Sequence, residues 1–184
     1  MIDIHTHCLP YIDDGAKNLT ESKALLRDSF EQGVSVCVAT PHCVVHGNDA
    51  ISAFLNRREQ SYNALVSSVL CDGEKYPKIY LGAEVLLDHD ISQYPDIKKL
   101  CIANTNYMLL EFPHMVQSKE TFDWLYSLTI LGIKPIIAHI ERYPNHNEMI
   151  PDFSDIDLLY QINASSLLGF SSKSDLIYFI SILL

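Results

Sequence analysis

The sequence predicts an α/β protein whose parallel strands form an open sheet or a barrel. Two observations carry this reading. Short apolar, β-rich runs alternate with longer stretches of helical periodicity, the pattern of repeated strand–helix–strand units. The runs also end repeatedly on metal-ligating residue types, at His5 and His7, His42, Glu84, Glu111 and His139. Parallel α/β architectures place their chemistry at the carboxyl ends of strands. One Glu or His there is an incidental loop residue, whereas the repetition points to a functional mouth.

The elements follow in order. Residues 2–5 read as a short buried strand, and alternation along it sends His5 and His7 to one side. Residues 8–18 form a loop with Pro10 and Gly15. Asn18 or Thr20 caps a helix to about Gln32, ended by Gly33, with Leu25, Leu26, Ser29 and Phe30 as its apolar stripe. SVCVAT over 35–40 is a continuously apolar strand, as expected where both faces are covered, and ends at Pro41-His42. Residues 49–70 are a long helix, with Ile51, Phe54, Leu55, Tyr62, Leu65 and Val69 near helical spacing. Strands over 78–83, 107–110, 134–138 and 158–162 end at Glu84, Glu111, His139 and Asn163. A helix over 121–131 stops at Gly132, and an apolar run starts at Ser174.

Composition bounds the function. The 184 residues suffice for one domain with a proper core. With 13 basic and 23 acidic residues the net charge is −10, which argues against nucleic acid or an anionic membrane surface held by bulk charge. Cations in a metal site would offset part of that charge. The 5 cysteines (Cys8, Cys37, Cys43, Cys71, Cys101) are irregularly spaced and do not read as a disulfide framework. Cys37 reads as core and Cys43 as a loop thiol beside His42. With no signal peptide before the first strand and no run long enough to span a bilayer, the expected compartment is the reducing cytoplasm.

Two imidazoles spaced as His5 and His7 can hold one metal ion, although most such pairs, taken alone, are core or surface histidines. The combination is far more specific. D-I-H-T-H, I-D-D-G-A, A-T-P-H, L-G-A-E, L-L-E-F-P, I-I-A-H-I-E-R-Y and Q-I-N-A-S-S-L-L-G occur in order along essentially the whole chain. Together they resemble the PHP (polymerase and histidinol phosphatase) superfamily. The closer resemblance is to the manganese-dependent protein tyrosine phosphatases of bacterial capsule and exopolysaccharide operons. Histidinol phosphatases share H-x-H but not the other blocks as a set. The resemblance implies a PHP-type distorted (β/α)7 barrel with up to three ions at its carboxyl mouth. Manganese is the expected metal, with iron or zinc as alternatives. It implies that His5 and His7 bind one ion, that Glu84 bridges it to a second completed by Glu111 and His139, and that Asp14 and His42 bind the third. Carboxylates and imidazoles are the donors such ions take. Read singly, Asp14 could be a turn residue and Glu84 or Glu111 a partner in a loop ion pair.

By the same resemblance Arg142, just past the strand ending at His139, binds the substrate phosphoryl group. A planar, permanently charged fork suits that task; the competing reading is a surface pair with Glu141. Family catalysis uses a hydroxide held between metals, attacking phosphorus in line. No cysteine is followed six residues later by arginine and no G-x-S-x-G occurs, so cysteine- and serine-based routes are excluded. His46, His89, His114 and His146 read as solvated loop residues, with His114 nearest the site.

The chain departs from the family pattern at its end. The family continues into a seventh strand carrying S-D-x-H-N, with two further ligands and another arginine beyond. Residues 1–184 are therefore expected to be a single phosphatase domain incomplete at its carboxyl end, lacking its last strand. The strands at Ile2 and Leu158 are then expected to keep open edges, leaving association between copies as one outcome. The function expected is hydrolysis of phosphotyrosine on a bacterial tyrosine kinase that controls capsule synthesis. An inactive remnant and a histidinol phosphate type phosphatase are the alternatives.

Overall fold

The protein is described here by a computed structural model covering residues 1–113, 118–144 and 146–168. All its strand pairings are parallel, and they form two sheets. The first contains β1 (Ile2–Thr6), β2 (Val36–Ala39) and β4 (Lys78–Leu81) in the order β1-β2-β4. The second contains β3 (His42–Val44), β5 (Glu84–Leu86), β6 (Tyr107–Glu111), β7 (Lys134–Ile137) and β8 (Leu159–Tyr160) in that order. Helices α1 (Leu19–Glu31), α2 (Asn48–Leu70), α3 (Ser118–Ile130), α4 (His146–Asp152) and α5 (Ala164–Leu168) lie between or after the strands.

The split into two sheets has a local cause. Two expected strands are each interrupted and resume. Thr40-Pro41 separates β2 from β3, and Gly82-Ala83 separates β4 from β5. Proline has no N–H to give to a ladder, and a glycine in a strand marks a kink or a close approach. A Cβ on Gly82 would stand 3.2 Å from Thr40 Cγ2 and 3.3 Å from Ile102 Cγ1 and Val38 Cγ1. Arg58 of α2 holds the kink from outside, donating from Nη1 to Gly82 O at 2.6 Å. The sequence reading placed His42 and Glu84 after strand ends. They instead open the second halves of bent strands, in register with each other.

Other elements follow the sequence with small corrections. Asn18 caps α1, its Oδ1 accepting from Glu21 N–H at 2.9 Å, while Glu21 Oε1 accepts from Asn18 Nδ2. Gly33, at φ +88°, ends the helix. The buried face of α1 is narrower than expected: Leu26 and Ser22 are buried, but Leu25 is 46% exposed and lines the functional cavity. β1 is not covered on both faces, since Ile2 is 64% exposed. Among the described residues β1 pairs with β2 alone and β8 with β7 alone. The apolar run from Ser174 lies outside the described residues. No helix among those described is long and apolar enough to cross a membrane.

Alternation sorts the core. Cys37 and Ala39 pack outward with Leu26 of α1 and Leu65 of α2. Met108, Leu110 and Ile137 pack outward with Leu125 and Leu128 of α3 and with Phe54 and Phe153. Between them in sequence, Val38, Leu109 and Ile136 face the other way and meet Ile102. This small inner cluster is the floor beneath the polar mouth. Truncating its centre, Leu109→Ala, should cost about 2–5 kcal/mol, read as a lowered urea midpoint with an unchanged slope.

Candidate metal centre

The first two histidines are aimed by an irregularity in β1. Ile2 and Asp3 pair with Val36 and Cys37, but Thr6 pairs with Ala39, so β1 carries one extra residue there. Asp3 Oδ1 accepts from the His5 N–H at 3.0 Å within this bulge. His7 lies just past the strand, and its Nε2 is 3.3 Å from His5 Nε2.

Glu84 is the hub. Its side chain is 1% exposed, yet it meets imidazoles from four chain segments. Oε2 lies 3.2 Å from His5 Nε2, 3.0 Å from His7 Nε2 and 3.2 Å from His42 Nδ1. Oε1 lies 2.7 Å from His139 Nε2. Glu111, two residues beyond Leu109 on the same face of β6, reaches His42 Nδ1 at 3.0 Å and His139 Nε2 at 3.8 Å. Asp14 approaches from solvent, with a side chain 79% exposed and Oδ1 3.5 Å from His42 Nε2. All of these residues and Arg142 line one cavity of about 550 Å³.

Burial alone would raise the Glu84 pKa. Hydrogen bonds from His139, His5 and His7 outweigh it and hold the carboxyl well below its ordinary range. Burial likewise works to lower the His7 pKa, but hydrogen bonds to Asp13 and Glu84 win and push it up to about 10. The Glu111 carboxylate raises His42. A proton kept on His7 thus offsets part of the charge of Glu84 and Asp13.

The donor set fits divalent cations. His5, His7 and Glu84 form one group with donor atoms within 4.8 Å of one another; His42, Glu84 and Glu111 form a second, and His7, Asp14 and His42 a third. His42 Nδ1 is buried beside two carboxylates yet makes no well-directed hydrogen bond, the geometry of an atom placed for an ion. His42 thus sits between the second and third groups, whereas the sequence reading placed it only in the third. His139 contacts Glu84 and Glu111 from the far side.

Two further residues went unassigned in the sequence. Asp13 Oδ2 lies 2.7 Å from His7 Nδ1 and accepts from His42 N–H at 3.1 Å, while its Oδ1 accepts from Gly15 N–H. Gln161 Oε1 lies 3.1 Å from His5 Nδ1 and accepts from His139 N–H at 2.7 Å. Such contacts fix which ring nitrogen is left facing the cavity. The Gln161 contact also holds His139 at φ +35°, a left-handed conformation that a non-glycine residue keeps only under local constraint. Gly15 is required by close approach, since a Cβ there would come within 2.2 Å of His7 O. Asp13 lay inside I-D-D-G-A and Gln161 inside Q-I-N-A, but nothing in either stretch says which side chain buttresses a histidine.

The remaining candidates divide. Arg142 ends the short 3-10 turn Ile140–Arg142 and is exposed. It is not paired with Glu141, whose Oε1 accepts from Ser166 Oγ at 2.8 Å and Asn163 N–H at 3.3 Å. Cys43 is not a loop thiol. It lies on β3 with its side chain in the core, where burial pushes its pKa up to about 12. His146 is not simply solvated, since its Nδ1 meets Tyr143 O at 2.7 Å. His114 lies outside the described residues.

Residues 1–180 match the family model described as capsular polysaccharide synthesis, CpsB/CapC. The chain is 31% identical over 175 residues to the tyrosine-protein phosphatase CpsB of Streptococcus agalactiae serotype V, covering 91% of this chain and 69% of that protein. It is 30% identical over 184 residues to the tyrosine-protein phosphatase YwqE of Bacillus subtilis, covering 94% of this chain and 68% of that one. Among solved structures it resembles one from a study of YwqE and of CpsB from Streptococcus pneumoniae, described as unique metal-dependent tyrosine phosphatases. The TM-score is 0.74 at 27% identity, over 98% of this chain and 73% of that one.

Two outcomes follow from this geometry. Gln161→Ala should lower metal affinity roughly 10–100-fold while leaving the fold cooperative, as measured by calorimetric titration and thermal unfolding. The pH dependence has a definite sign. The His7 pKa lies above its ordinary 6.5, so its contribution to the metal-free fold is complete below that value and fades as pH rises towards about 10. A cation must displace that proton, so affinity should increase with pH and binding should release protons. Titrations in two buffers of different ionisation enthalpy at one pH would measure the release.

Proposed function

Because this chain belongs to the CpsB/CapC family of capsular polysaccharide synthesis proteins, we propose that it hydrolyses phosphotyrosine as a metal-dependent phosphoric monoester hydrolase. Its substrate in this reading is a cytoplasmic bacterial tyrosine kinase that regulates capsular or exopolysaccharide synthesis. The observation that carries the proposal is one cavity uniting a carboxylate ringed by four imidazoles with an arginine free of acidic partners among the described residues.

His5, His7, Asp14, His42, Glu84, Glu111 and His139 would hold the cations. Imidazole and carboxylate donors without thiolate suit manganese, with iron or zinc as alternatives. When bound, the ions supply Lewis acidity, making water acidic and neutralising phosphoryl oxygens. The rest falls to the chain. Arg142 grips the phosphoryl group and offsets charge as it develops. Asp13 and Gln161 keep the imidazoles in one orientation, and the inner apolar cluster below excludes water from beneath the ligands. The half-open cavity admits a phosphorylated side chain presented by another protein.

The chain dialysed against chelator and reloaded with manganese should hydrolyse a phosphotyrosyl peptide faster than histidinol phosphate. No metal-dependent rate on the peptide would overturn the proposal. Arg142→Ala should lower kcat/KM roughly 100-fold or more at unchanged metal content. Arg142→Lys should recover only part of this, because a point charge does not replace the planar fork.

A further inference from the structure

We infer that His46, Asp88 and His89 form a separate binding site for one borderline divalent cation of the zinc, nickel or cobalt type, set at the rim of the mouth. Donor atoms of the three side chains all lie within 4.8 Å of one another. Tetrahedral bonds of ~2.1 Å set the donors of one ion ~3.4 Å apart, so a closure of at most about 1.4 Å between any two donors is needed, within the reach of side-chain rotation.

The backbone explains why these residues meet. β3 and β5 are parallel neighbours, with His42 opposite Glu84 and Val44 opposite Leu86. Two residues beyond that last pair, the two chains carry His46 and Asp88. The intervening Val45 and Leu87 are fully buried in the core, and Leu87 N–H also donates to Glu111 O at 2.8 Å. Both anchors hold the backbone on either side of the cluster. The two-residue period that sends Val45 and Leu87 outward into the same core cluster as Met108 and Leu110 leaves His46 and Asp88 on the opposite face.

The side chains already contact one another. The His46 and His89 rings stack 5.7 Å apart at 21°. His89 Nδ1 lies 2.6 Å from Asp88 Oδ1, and the Tyr94 hydroxyl lies 3.4 Å from His89 Nε2. Two nitrogens and one carboxylate oxygen from the protein leave coordination positions for water. That donor set favours borderline transition ions over magnesium or calcium, which take oxygen. The side chains of Asp88 and His89 are each 31% exposed, so an ion can enter from solvent. A bound ion would tie the loop after β3, which leads into α2, to the loop after β5.

The test uses the whole chain equilibrated by dialysis against micromolar zinc, with bound metal counted by atomic emission. His46→Ala combined with His89→Ala should reduce bound zinc by roughly one equivalent at an unchanged far-UV circular dichroism spectrum. Equal zinc content in both proteins would overturn the site. A second measurement needs no variant. Zinc should protect His46 and His89 of the native chain from diethylpyrocarbonate, mapped peptide by peptide. If both modify at the same rate with and without zinc, the site does not exist.

Discussion

The structure depends on one buried charge. Glu84 is 1% exposed and held ionised by hydrogen bonds from imidazoles. A carboxylate removed from water without partners costs several kcal/mol, and losing one partner of a buried pair is strongly destabilising. His5, His7, His42 and His139 must therefore arrive together, from β1, the segment after it, β3 and the segment after β7. The fold is arranged so that they do. The bulge in β1, the break before His42, the break before Glu84 itself and the left-handed backbone at His139 each aim a candidate ligand into the centre.

Rigidity comes from a second layer. Asp13 and Gln161 each bind two points of the centre, a ring nitrogen of one histidine and the backbone N–H of another. Asp13 couples His7 to His42, and Gln161 couples His5 to His139. These are couplings between chain segments far apart in sequence, so each contact fixes the relative position of two strands as well as one tautomer. Below them Val38, Leu109 and Ile136 fill the interior with apolar volume. The polar layer has no space to relax downwards.

The distribution of charge completes the picture. The chain is acidic overall at −10, and its candidate ligands include three carboxylates. Cations at the centre would neutralise these locally, leaving Arg142 as a positive group at the rim where a dianionic phosphoryl group would arrive. Relatives described as metal-dependent tyrosine phosphatases share the parallel α/β frame at 27% identity. At that distance the frame is what the two chains have in common.

The sequence by itself determined a good deal of this. Helix limits were legible at Asn18, Gly33 and Gly132, because capping and left-handed glycine are local chemistry. That the candidate residues gather at one cavity was legible because histidines and glutamates recur at the ends of apolar runs, a one-dimensional consequence of parallel strands sharing one carboxyl edge. Tertiary structure alone decided the rest. That His42 and Glu84 open resumed strands, that Leu25 faces the cavity, and that Cys43 turns into the core all depend on which face of a kinked strand or helix meets its neighbour. That Asp13 and Gln161 buttress the histidines depends on loops closing in space, since Gln161 and His5 are 156 residues apart. Local preference is written in neighbouring residues. Contacts across such separations are set only when the strands are packed side by side.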